Sequence, residues 1–206
     1  MDFSTLDQVF LGNTVKSYLL FAGILVFGLL FKRIFSRLLS KLLFKVFGRF
    51  ASDADPRIFV SLLVRPVELL LLFFVLYLAI NQLSFPLNEV IFSREAVAGK
   101  VRTLYQLKLI QVIDKVFLFL FIFSAFWILL RIIDFIAHVF IYRASLTESK
   151  SDDQMVPFVK ELTKIITIIF AVFVVMGSVF ELNVATIIAG LGIGGIAVAL
   201  AAQDTL

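Results

Sequence analysis

A membrane-length apolar run closes the chain, NVATIIAGLGIGGIAVALAAQDTL from Asn183 to Leu206, and four of its glycines fall within six positions. Glycine inside a helix costs roughly 1 kcal/mol relative to alanine, so such a run needs close packing to offset the loss. In lipid, small side chains let backbones approach one another. Small-xxx-small spacing recurs here at Gly190–Gly194, Gly195–Ala199 and Ala197–Ala201. Small residues on several faces predict a helix packed against neighbours on both sides, as in a ring of identical subunits. Gly190, Gly194, Gly195 and Ala199 are expected at those contacts. Ala189, Gly192, Ile196 and Leu200 recur at three- and four-residue spacing and share one face. In a ring that face points at a common axis and lines a pore, with Ile196 and Leu200 forming its constriction.

GLGIGGIAVALAAQDTL resembles the pore-lining helix of the small-conductance mechanosensitive channels, the MscS family. The resemblance is strong over roughly residues 185–206 and only topological before them. It rests on glycines and alanines at these offsets, a two-residue apolar constriction, and a Gln before a helix break. Where the best-known pattern has two leucines and a Gly after the Gln, this chain has Ile196, Leu200 and Asp204. AAQDTL looks more like the branch with extra peripheral helices, which includes the YnaI-type bacterial channels and their organelle relatives. The resemblance implies a heptameric homo-oligomer in a bacterial inner membrane, opened by tension to release ions and small solutes under osmotic downshock. It also implies a break at Gln203–Asp204 and a cytoplasmic β domain and vestibule beyond Leu206. Asp204 is expected to cap a following helical piece or to add a carboxylate ring at the pore mouth.

The rest of the chain fits a membrane protein. Apolar residues make up 61% of it and the mean hydropathy is +1.06, which excludes a soluble globular domain. Cysteine is absent, so there is no disulfide framework or thiol nucleophile, and the single histidine, His138, cannot build a metal site alone. No cofactor or metal is expected. The net charge of +4 comes from local basic clusters and does not indicate a nucleic-acid partner. MDFSTLDQVF lacks the basic start of a secretory signal, so the first helix is expected to act as an uncleaved insertion signal.

A bilayer core about 30 Å thick needs roughly 20 apolar residues per helix, and five segments qualify. They are roughly 15–31, 66–83, 110–142, 158–181 and the Gly/Ala helix from about 184. Pro66 is expected near the first turn of the second, with Glu68 by its positive end, and Pro157 opens the fourth. No low-complexity tract and no soluble linker of any length is expected. The expected fold is therefore an all-α membrane protein with its pore helix last. Residues 1–156 form a peripheral paddle and 157–206 the fourth helix and pore helix. The stretch 32–57 carries seven basic residues against Asp53 and Asp55. The positive-inside rule makes it cytoplasmic, which puts the N-terminus outside and the C-terminus inside after five crossings.

Segment 31–50, FKRIFSRLLSKLLFKVFGRF, reads as a basic amphipathic helix. Arg33, Arg37, Lys41, Lys45 and Arg49 recur every four residues between apolar doublets. These residues are expected to contact anionic headgroups at the cytoplasmic membrane surface. Arg131 and Asp134 lie three apart on the third helix, where a structural pair near the helix end is expected, and Asp114 with Lys115 near the other end reads the same way. GLGIGG shares glycines with dinucleotide fingerprints, but it neither follows a strand nor heads a βαβ unit. No Ser/His/Asp arrangement with a usable base is visible, so no enzyme activity is expected. Two rivals to the channel remain at this point: a secondary transporter, which predicts inverted repeats and charges at membrane depth, and a non-conducting membrane scaffold.

Overall fold

The computed structural model describes residues 6–47, 56–98, 101–144 and 150–203. Among them are five helices: α1 Val15–Phe47, α2 Pro56–Ile80, α3 Leu109–Ala144, α4 Lys150–Ser178 and α5 Val184–Gln203. Two antiparallel hairpins join them, β1 Val9–Phe10 with β2 Asn13–Thr14, and β3 Val90–Ala98 with β4 Val101–Lys108. The chain is an all-α membrane protein decorated by hairpins.

Four of the helices, α1, α2, α3 and α5, are long and apolar enough to cross a bilayer. α4 is not among them, one fewer than the sequence predicts. Asp152, Asp153, Lys160, Glu161 and Lys164 occupy its first half, leaving residues 165–178 as its uncharged run. That run alone is shorter than the roughly 20 residues of a full span, so a crossing by α4 would have to include part of its charged half.

Helices α1 to α4 form an antiparallel row in which each packs on the next. Phe44 of α1 meets Phe59 of α2 at 5.3 Å between ring centroids, and Phe59 meets Phe135 of α3 at 4.7 Å, edge to face. Around these rings Leu63, Val67, Ile132 and Val139 complete a buried core. Such edge-to-face pairs are worth about 0.5–1.5 kcal/mol beyond the area they bury. Halfway along α1, Gly28 lies against Val75 of α2, and a β-carbon there would collide with the valine side chain. Lys32 and Glu68 pair across the same interface at 3.7 Å. Further along the row, the Tyr77 hydroxyl of α2 donates to Asp114 of α3 at 3.0 Å.

Polar contacts hold the β1–β2 hairpin at the far end of the row. Asn13, only 4% exposed, accepts from the Ser84 and Phe85 backbone N–H groups at 2.6 and 3.0 Å and donates to the Phe85 carbonyl at 2.9 Å. Gly12, at φ 76°, sits so close to Phe85 that a β-carbon would lie 2.8 Å from the phenylalanine Cβ. Both the positive φ and the close approach require glycine.

Three sequence expectations change. The first helix does not end near Phe31: α1 continues through the basic segment to Phe47, with Arg49 outside the described residues. No Gly or Pro interrupts 31–47, so the change from apolar to amphipathic pattern alters the surroundings and not the backbone. Pro66 is not in a first turn but ten residues inside α2, and Pro157 is likewise inside α4. Each removes one intrahelical hydrogen bond. Pro66 is fully buried, and tertiary packing holds the helix through it. Finally, the chain between α2 and α3 contains the β3–β4 hairpin where no linker is predicted. Its register pairs Ser93 with Gln106 and Ala98 with Val101, and a bulge falls between Val90 and Phe92.

Candidate functional site: the glycine- and alanine-rich helix and its turn

α4 ends in a backbone reversal that launches α5. The Val179 N–H returns to the Val175 carbonyl at 2.9 Å and the Leu182 N–H to Met176 at 3.0 Å. Between them Glu181 takes a left-handed conformation, φ 57°, which costs a non-glycine residue roughly 1–2 kcal/mol. Asn183 then caps α5, its Oδ1 accepting from the Thr186 N–H at 3.2 Å, and so satisfies one of the free donors at a helix start. Gly177 admits Val184 close to α4, since a β-carbon at position 177 would lie 3.1 Å from its Cγ2.

This turn is tied to the peripheral row. The Glu181 carboxylate lies 3.0 Å from the Lys115 ammonium on α3. Nearer the basic end, Asp134 of α3 is an ionic hub. It lies 2.6 Å from Lys164 and 3.2 Å from Lys160, both on α4, and 3.5 Å from Arg131. Arg131 and Asp134 therefore form part of a bridge between α3 and α4, a larger arrangement than the expected pair.

α5 carries no charged residue and has no buried residue. Ile196 and Leu200 are 64% and 60% exposed. At about 100° per residue, Ala189, Gly192, Ile196 and Leu200 fall within an arc of roughly 80°. Gly190 and Gly194 lie to one side of that arc, and Gly195 and Ala199 to the other. A β-carbon at Gly190, Gly192, Gly194 or Gly195 would meet nothing within 4 Å. Among the described residues these glycines have nothing to pack against. Gln203 ends the described helix, exposed, and Asp204, with the expected break, lies outside the described residues.

Residues 163–203, from the second half of α4 to the end of α5, match the family model described as mechanosensitive ion channel, transmembrane helices 2/3. Over these two helices the chain is similar to the mechanosensitive ion channel family. A curated relative, the small-conductance mechanosensitive channel MscMJ of Methanocaldococcus jannaschii, is 36% identical over 69 residues, which span 34% of this chain and 19% of that protein. No solved structure gives a significant match. The match places the family's helix–turn–helix unit on the turn at Glu181–Asn183, outside the α1–α3 row.

Sequence reasoning missed Lys160, Lys164 and Glu181 as partners of α3. The four-residue spacing of Lys160 and Lys164 marks a common helix face, but only the antiparallel packing of α3 on α4 brings that face to Asp134. Among the basic residues expected at headgroups, Arg33, Arg37 and Lys41 line one groove against α2, whereas Lys45 does not.

Proposed function

We propose that this chain is the membrane portion of a mechanosensitive ion channel in which α5 helices from several copies surround a pore. One observation carries the reading: among the described residues, nothing lies within 4 Å of a β-carbon placed at any of the four glycines of this helix. Those glycines cost about 4 kcal/mol in helix propensity, and lipid offers no specific gain from missing side chains. Close contact with another helix does. The two flanks differ, Gly190 and Gly194 against Gly195 and Ala199, which suits a head-to-tail contact that closes into a ring. Seven copies is the number that the family resemblance implies.

In such a ring Ala189, Gly192, Ile196 and Leu200 face the axis. Ile196 and Leu200 narrow it with apolar side chains, and a narrow apolar ring expels water and blocks hydrated ions. Membrane tension favours the state with the larger in-plane area. The α1–α4 row presents broad apolar surface to lipid, and its ties to α4 and to Glu181 carry a tilt of the row into the α4–α5 turn. The fifth helices then slide along their small faces, and the channel releases ions and small solutes under osmotic downshock.

In this arrangement α4 crosses the membrane as well, its charged first half reaching the basic side of the bilayer. Five crossings then put the N-terminus outside and the C-terminus in the cytoplasm of the cell membrane. Currents in patches of liposomes carrying the full-length protein test the proposal. Unitary openings whose probability rises with suction are expected; silent patches from membranes shown to contain the protein would overturn it.

A further inference from the structure

We infer that the groove between the basic ends of α1 and α2 is a binding site for the phosphate headgroup of an anionic membrane phospholipid. Arg33, Arg37 and Lys41 of α1 and Arg57 and Arg65 of α2 line this groove of about 720 Å³. Neither helix makes the site alone. The cations of α1 recur every four residues along one face, and the antiparallel packing of α2 brings Arg57 and Arg65 to the same cleft. Glu68, the carboxylate among the described lining residues, is engaged by Lys32 at 3.7 Å. From Arg33 to Lys41 the helix rises about 12 Å, so the cations form a ladder running along the helices.

The surroundings select a lipid over a free anion. Phe44, Val60 and Val64 supply an apolar wall to the groove. On the same stretch of α1, Ile34, Leu38 and Leu42 are each more than half exposed. A phosphate alone would leave that apolar surface in water. A phospholipid places its phosphate among the guanidinium groups and its acyl chains along the apolar surface, and basic pockets between membrane helices take anionic headgroups in this way. Arginine suits the role because its planar fork binds phosphate oxygens in pairs.

The inference rests on the chain being embedded in a membrane, but not on its conducting ions. The test is displacement of a fluorescent phosphatidylglycerol from the purified full-length protein in phosphatidylcholine nanodiscs. Competitors are unlabelled phosphatidylglycerol, phosphatidylcholine and inorganic phosphate. Phosphatidylglycerol alone should compete. In R37Q/R57Q/R65Q the preference over phosphatidylcholine should fall about a hundredfold, roughly fivefold per cation. R37K/R57K/R65K keeps the charge but not the paired contacts, and should fall between the parent and the glutamine triple. K16Q/K108Q/K115Q removes the same charge outside the groove, at positions with no expected headgroup contact, and should leave the preference unchanged. Equal loss in the two glutamine triples, displacement by millimolar phosphate, or no preference in the parent would each overturn the site. Silent patches with the preference intact would instead count against the channel reading alone.

Discussion

Glu181, the residue at which the chain reverses between α4 and α5, is held 3.0 Å from Lys115 on α3 while its own backbone sits at φ 57°. A left-handed conformation and an interhelix ion pair thus meet at one position. Both side chains are largely exposed, so the ion pair should contribute no more than about 1 kcal/mol, and the backbone conformation should dominate. Glu181→Gly, which relieves the left-handed conformation, should unfold within about 1 kcal/mol of the parent. Glu181→Val, β-branched at positive φ, should lose about 2 kcal/mol or more. Lys115→Gln isolates the ion pair and should lose less than Glu181→Val. Denaturant titration of the three variants in one detergent checks the order; a larger loss for Lys115→Gln than for Glu181→Val would reverse the assignment.

Gly28 and Val75 set the spacing of α1 and α2. Gly28→Ala should cost about 1–3 kcal/mol through overpacking, although alanine is the better helix former. Val75→Ala makes room, so the double variant should recover much of the loss. A double-mutant cycle on thermal unfolding reads the coupling. Additive effects would show that the helices separate freely at this point.

Asp134 faces Lys160, Lys164 and Arg131 while only 18% exposed on its side chain. Asp134→Ala leaves three cations with one less anion in a half-buried site and should cost about 2–3 kcal/mol. Lys160→Gln alone should cost less, because Lys164 remains at 2.6 Å. Adding Lys164→Gln to Asp134→Ala should recover part of the loss, since it removes a cation that has lost its partner. Unfolding midpoints of the variants decide; equal losses for Asp134→Ala and Lys160→Gln would show that the hub is not cooperative.

The pore reading makes two predictions on α5. Leu200→Ser places a hydroxyl in the proposed constriction and should wet it, lowering the suction needed for opening. Gly195→Leu adds bulk where two helices are proposed to touch and should reduce assembly or block opening. Suction thresholds in patches and the size of the assembly in detergent measure both. Parent-like assembly and gating in Gly195→Leu would remove the packing argument, and an unchanged threshold in Leu200→Ser would remove the gate.

Much of this protein follows from local pattern alone. Apolar length marks α1, α2, α3 and α5 as membrane helices, because a bilayer demands a fixed number of uncharged residues whatever the tertiary fold. The glycine spacing of α5 is equally local, and it places the family's helix in the sequence before any contact is known. The β3–β4 hairpin has no comparable local signal, since neither VIFSREAVA nor VRTLYQLK alternates apolar with polar residues throughout. Other features belong to the tertiary structure. The Pro66 ring lies inside a continuous α2 because the packing around Phe59, Leu63 and Val67 outweighs one lost hydrogen bond. Asp134 finds its lysines, and Arg37 joins Arg57 and Arg65, only because antiparallel packing sets residues far apart in sequence at the same height. Periodicity assigns a side chain to a face of its own helix; which face of another helix it meets depends on the order and direction of packing, and that is a property of the folded chain.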